Sequence, residues 1–176
     1  MTEAEEYAST LVRTGFHDQD EVLEAVVESY EDDLSEDEAA ALVTRLWEVR
    51  LAEQATWPET TQVDRLLSTF ATLDAAGVVA RANFTCCNNC GHTEIGAEAE
   101  EGARGYVFFH HQDTERAAEG GGLYLSYGAF PGTDTESIGH EVVAAMTAAN
   151  LSTEWNGTAA QRILVSPLTW QLRLDG

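Results

Sequence analysis

Apolar residues recur at helical spacing through the first half of the chain and in short continuous or alternating runs through the second. Asp18-Gln19-Asp20-Glu21 places a carboxylate three residues before a Glu, and Val22, Leu23, Val26, Val27 and Tyr30 follow on one face. That combination of capping box and period predicts a helix of about three turns. Ser35-Glu36-Asp37-Glu38, preceded by Leu34, is a second capping box, and Ala39, Leu42, Val43, Leu46, Trp47 and Leu51 trace a helix from 36 to about 55. Trp57-Pro58-Glu59 ends it and opens a third, since proline suits a first helical turn. Val63, Leu66, Leu67, Phe70 and Leu73 keep that period until Gly77, a residue suited to a left-handed C-terminal cap with Val78 as its apolar contact. The first dozen residues add a further short helix.

Beyond Gly77 the pattern changes to that of strands. Val78 to Thr85 leads into Cys86-Cys87-Asn88-Asn89-Cys90-Gly91-His92, which reads as a tight loop rich in turn residues. Glu94 to Arg104 reads as a solvated hairpin or loop. Tyr106 to His110 and Leu123 to Tyr127 are strand-like, separated by a short helix and by Gly120-Gly121-Gly122. A helix from about 135 to 149 follows, with Thr133 and Glu136 spaced as a capping box and Ile138, Val142, Val143 and Met146 facing inward. Thr153 to Trp155, Arg162 to Val165 and Thr169 to Leu174 predict three final strands, the first two joined at the Asn156-Gly157 turn. The expected fold is α+β: an N-terminal layer of three or four helices, then a mainly antiparallel sheet with one long helix packed on it. Residues 1–176 are expected to form one compact unit, helical over 1–77 and strand-rich over 78–176.

Charge changes this picture less than its size suggests. The 176 residues carry 31 Asp plus Glu and 9 cations, all Arg, for a net charge of -22. Residues 1–60 hold 17 carboxylates and 3 Arg, and residues 61–176 hold 14 and 6, so no single acidic tail accounts for the total. At molar salt the Debye length is about 3 Å, which screens such self-repulsion. The lysine-free, acidic surface reads as adaptation to a concentrated-salt, halophilic cytoplasm; a GC-rich genome, which also replaces Lys by Arg, is the alternative. Nine scattered Arg do not make the basic stripe that a nucleic-acid backbone requires, so no nucleic-acid partner is expected. No apolar run nears the roughly 20 residues of a membrane helix, and the acidic N-terminus lacks the basic and apolar regions of a signal peptide. A cytoplasmic protein without a membrane partner is the expectation, and the sequons at Asn83, Asn150 and Asn156 are treated as coincidental.

All three cysteines fall within five residues. Cys87-x-x-Cys90-Gly91 has the spacing of half a zinc knuckle, in which a tight turn brings two sulfurs to about 2.3 Å from one ion. With no second pair, further ligands must come from Cys86, His92, or a distant His110, His111 or His140. The local set Cys87, Cys90 and His92, completed by Cys86 or by one histidine, is the candidate metal site, with zinc the candidate ion. His110 and His111 serve together only if the strand ends between them, because neighbouring strand residues face opposite ways. Two other readings stand beside it: structural thiols, with Cys86 in the core beside Phe84, and a Cys87/Cys90 redox dithiol. The dithiol reading lacks the strand and following helix that usually lower a thiol pKa in that motif.

His110-His111-Gln112-Asp113-Thr114-Glu115-Arg116 closes a strand and opens a helix. His111, Asp113 and Glu115 could hold a divalent ion in a hydrolase. The competing reading makes Asp113 or Thr114 a helix cap with Glu115 in the first turn. No Ser-His-Asp order, nucleophile elbow, P-loop or Rossmann pattern occurs; the Gly triplet precedes a strand, where a phosphate loop would precede a helix. No catalytic residue is assigned.

The segments Cys86-Cys87-Asn88-Asn89-Cys90-Gly91, Phe108-Phe109-His110-His111-Gln112-Asp113-Thr114-Glu115 and Leu123-Tyr124-Leu125-Ser126-Tyr127-Gly128 resemble those of an uncharacterised prokaryotic family known only as a domain of unknown function. Glu154-Trp155-Asn156-Gly157 with Arg162-Ile163 is similar as well. The resemblance spans nearly the whole chain and brings no activity, cofactor or catalytic residue. Three functions follow as expectations. The first is a non-enzymatic binding or regulatory module with a structural metal in the Cys86–His92 loop. The second is a metal-dependent hydrolase using His110, His111, Asp113 and Glu115, and the third is an accessory or immunity-like protein without metal that acts on a protein partner.

Overall fold

Both capping boxes of the first half are formed. In the computed structural model, which describes residues 2–175, α1 (Glu3–Thr14) starts from the Thr2 hydroxyl and stops at Gly15 in the left-handed region. α2 (Gln19–Ser29) and α3 (Glu36–Gln54) each carry a complete capping box, Asp18 with Glu21 and Ser35 with Glu38. α4 (Gln62–Ala75) begins later than the proline signal suggests. Pro58 does not enter it: the Pro58 carbonyl accepts from the Arg173 guanidinium, and residues 58–61 form a bend.

The chain divides into two compact units, Met1–Thr61 with Gln171–Gly176, and Gln62–Trp170. In the first, α1, α2 and α3 pack on one another and bury Ala8, Val12, Val22, Val26, Ala39, Val43, Trp47 and Leu174 together. The expected strand at 169–174 is irregular backbone. Its polar groups are met by side chains instead of a neighbouring strand: the Leu174 N–H donates to Gln54 Oε1 at 2.8 Å and its carbonyl accepts from Gln54 Nε2 at 3.3 Å.

The second unit is built on a five-stranded sheet in the order β1-β2-β3-β5-β4. The strands are β1 (Val78–Arg81), β2 (Gly105–Phe108), β3 (Leu123–Ala129), β4 (Thr153–Glu154) and β5 (Ile163–Val165). Only β1 and β2 run parallel; the other three pairings are antiparallel. α4 packs on β1, α6 (His111–Ala118) on β3, and α7 (Thr135–Ala148) on β2 and β3. Val78, Val107, Phe108, Leu123, Leu125, Ile138, Val142, Met146 and Ile163 are fully covered between them. The chain is therefore α+β, with its helices first and its strands later.

Two local expectations are corrected. α7 is capped by Asp134, whose carboxylate accepts from the Ser137 N–H at 2.9 Å, and not by Thr133, whose own N–H is already closed onto the Phe130 carbonyl. β4 and β5 do pair, but Glu154 lies opposite Leu164, so the connection spans 155–162 and is far wider than a two-residue Asn-Gly turn. Tyr127 on β3 explains the width. Its hydroxyl lies 2.9 Å from the carbonyl oxygens of both Thr158 and Gln161, and the Trp155 indole donates to that hydroxyl at 2.9 Å. The loop is organised around one phenol. No helix among the described residues is long and apolar enough to cross a membrane.

Candidate metal site

Parallel pairing of β1 with β2 demands a crossover, and the crossover carries all three cysteines. It leaves β1 through Asn83 and Thr85, both at positive φ, 50° and 60°. For a β-branched residue such as Thr85 this conformation is costly and is kept only where the surroundings impose it. They do so here through four bonds. The Phe84 N–H donates to the Phe109 carbonyl at 2.8 Å, and the His111 N–H to the Thr85 carbonyl at 3.1 Å. Thr114 Oγ1 donates to Asn83 Oδ1 at 2.8 Å, and Thr85 Oγ1 to the Cys87 carbonyl at 3.1 Å.

The tight loop expected next is instead a short helix, α5 (Asn88–Glu94), continued by a 3-10 turn, Ile95–Glu98. Two anchors hold α5 down. Ser126 on β3 hydrogen-bonds Asn88 Oδ1 at 2.5 Å. Gly91 lies flat on the Phe108 ring, where a Cβ would stand 2.2 Å from a ring carbon, so only glycine allows the approach.

These constraints bring the three sulfurs together. All lie within 4.8 Å of one another, and Cys86 Sγ to Cys90 Sγ is 3.6 Å. A tetrahedral ion with bonds of about 2.3 Å needs sulfurs about 3.8 Å apart, so the triad is close to the spacing a single ion requires. Cys86 is exposed and Cys87 and Cys90 are partly exposed, and all three are free thiols. The core placement considered for Cys86 does not occur, since the residue is exposed. Cys87 sits at the N-cap of α5 without closing a capping hydrogen bond of ordinary geometry. The Cys90 N–H is still near enough to be the main influence holding the Cys87 thiol below its usual range. Cys90 shows the opposite effect, pushed up to about 11 by its hydrogen bonds with Cys87 and then Cys86. A strand before the pair and a helix that begins between its two cysteines are present, contrary to the sequence reading of the dithiol motif.

The histidines are placed elsewhere. His92 points away from the sulfurs: its Nδ1 is 2.8 Å from the Tyr106 hydroxyl and its ring stands edge-on to Phe108. Although the residue as a whole is exposed, that covered side of the ring lowers its basicity, first by desolvation and then through the Arg162 charge. β2 ends before both His110 and His111. His110 is buried and caps α6: Nδ1 accepts from the Asp113 N–H at 3.4 Å, while Nε2 lies 3.0 Å from Asp113 Oδ2. The cap expected at Asp113 or Thr114 is therefore His110, with Asp113 completing the box from the third helical position. Burial holds His110 below the usual imidazole range, Arg162 and His111 add to that, and Asp113 opposes it. His111 is the exposed first residue of α6, and His140 is exposed on α7 against Trp155. Among the described residues, no His, Asp or Glu joins the sulfur triad, and no second group of three ligating side chains converges.

Arg162, expected only as a strand residue and not as part of any site, is the ion-pair partner of Asp113. Its guanidinium is ion-paired to the buried Asp113 carboxylate and also donates to the Tyr124 carbonyl at 3.3 Å. His110, Asp113, Glu115, Arg116, Tyr124 and Arg162 line a wide open depression. No sequence signal marks a pair 49 residues apart.

The family model described as Domain of unknown function (DUF6891) matches residues 1–174. The chain belongs to the DUF6891 family. That match takes in the cysteine crossover, the His110–Glu115 segment and the Tyr127 loop alike. No curated protein and no solved structure matches the chain.

Proposed function

We propose that this protein is a non-enzymatic binding or regulatory module whose crossover loop is held by one zinc ion on Cys86, Cys87 and Cys90. The observation that carries the reading is the convergence of three free sulfurs within 4.8 Å on a strained, multiply anchored turn. Thiolates select soft and borderline ions, and the Cys86–Cys90 separation of 3.6 Å is near that of two sulfurs on one tetrahedral zinc. A protein partner fits such a module; the lysine-free chain offers nothing to a nucleic acid. A hydrolase on His110, His111, Asp113 and Glu115 is less well supported, because His110 and Asp113 are occupied with the α6 cap and with Arg162.

The test is elemental analysis of full-length protein purified without an affinity tag. One zinc per chain, absent from a Cys87→Ser plus Cys90→Ser variant, is the expected result. Metal retained by that variant but lost on His111→Ala would move the site to the α6 segment. No metal in any preparation would leave a thiol-bearing accessory protein.

A further inference from the structure

The sulfur triad offers three ligands, and zinc takes four. Cys86 is exposed, His92 is turned to Tyr106, and His110 is closed into the α6 cap. We infer that the fourth coordination position at Cys86, Cys87 and Cys90 is open to solvent and takes a neutral nitrogen donor, of the imidazole type, from a small molecule. This inference rests on the metal reading given under Proposed function and adds an exchangeable ligand to it.

The preference for a neutral donor is electrostatic. Three thiolates on a divalent ion leave a charge of -1, and a fourth thiolate would make it -2. The stretch Cys86–His92 holds no Arg, and the chain around it carries a net -22. Arg162, the cation acting on His92, is already engaged by Asp113. A second negative charge at the ion therefore has no partner, whereas an imidazole nitrogen completes the tetrahedron without adding charge. Three protein ligands with an exchangeable fourth is also how zinc sites that handle ligands differ from closed structural ones.

Cobalt reports this directly, because its d–d absorption follows the donor set. Full-length, tag-free protein is loaded anaerobically with cobalt(II) in chloride-free buffer at pH 7 and titrated in parallel with imidazole and with 2-mercaptoethanol. The expected result is one cobalt per chain in a monomer. Its d–d envelope shifts saturably with imidazole, with half-saturation at least tenfold below that for the thiol. His92→Phe should leave the resting spectrum and the imidazole response unchanged. An envelope indifferent to imidazole, equal or tighter response to the thiol, or a resting spectrum altered in His92→Phe would each overturn the open nitrogen site while leaving the metal reading intact. A cobalt-dependent dimer in light scattering would assign the fourth donor to a second copy and overturn it too. Failure to bind cobalt at all removes both readings. The wild-type titration decides the matter even if the His92 variant does not fold.

Discussion

Gly91 is the residue on which the cysteine cluster's position depends most directly. Its missing side chain lets α5, which carries Cys90, rest on Phe108. In Gly91→Ala the added methyl must displace either the helix or a fully buried ring. Destabilisation of about 1–3 kcal/mol is expected, as for other overpacked sites, and the zinc proposed for the triad should bind more weakly than in the wild type. Chemical denaturation and elemental analysis on the same preparation check both.

His110 gives a prediction in pH. Its folded form stays neutral to a lower pH than the unfolded chain's imidazole, which titrates at about 6.5. Below that value the unfolded state binds more protons, so stability is lost as pH falls from about 6.5 toward the depressed native value and is untouched above it. His110→Asn keeps a good capping residue and should flatten this acid-side slope in denaturation curves measured between pH 7 and 5. His92, depressed as well, leaves a residual slope in the same direction.

Elements were legible where their determinants are local. The boxes at Asp18 and Ser35 join groups three residues apart, so spacing alone reveals them, and the helices that they start are present with nearly the expected bounds. The same spacing hid the box at His110, because a ring nitrogen is an unusual capping acceptor. The clustering of the three cysteines was legible on the same grounds, whereas the grouping of Cys86, and not His92, with Cys87 and Cys90 was not. That depends on Tyr106, a strand residue whose alignment with α5 only the folded crossover creates. The final strand at 169–174 failed for a related reason: apolar residues there are buried by packing, not by pairing, and period cannot tell the two apart.

The connection between β4 and β5 shows what one hydroxyl can organise. Tyr127, Trp155 and the carbonyls of Thr158 and Gln161 form a single polar knot over β3. Tyr127→Phe removes the closest donor to those carbonyls and leaves them only the Trp155 indole, at 3.2 Å from each. A cost of about 1–3 kcal/mol is expected, with faster amide exchange confined to residues 155–162. Loss spread evenly over the sheet would mean that the knot does not set the loop's conformation.

At the scale of the whole molecule, 31 carboxylates against 9 Arg oppose compaction in dilute buffer. Raising the salt from 0.1 M to 1 M shortens the Debye length from about 10 Å to about 3 Å. Read as adaptation to a salt-rich medium, the charge predicts that the denaturant midpoint climbs steeply over that range in potassium chloride. A flat response would return the carboxylates to consideration as binding groups.

Among the described residues β1 is the outermost strand on the parallel side of the sheet, paired there with β2. The polypeptide that sets the alignment between them is the crossover bearing the sulfurs. An ion lost from Cys86, Cys87 and Cys90 would thus loosen the tether of a margin strand and uncover the Tyr106–Phe108 side of β2, a template for pairing with another chain. On that view the proposed ion would serve as much to keep molecules apart as to keep one molecule folded.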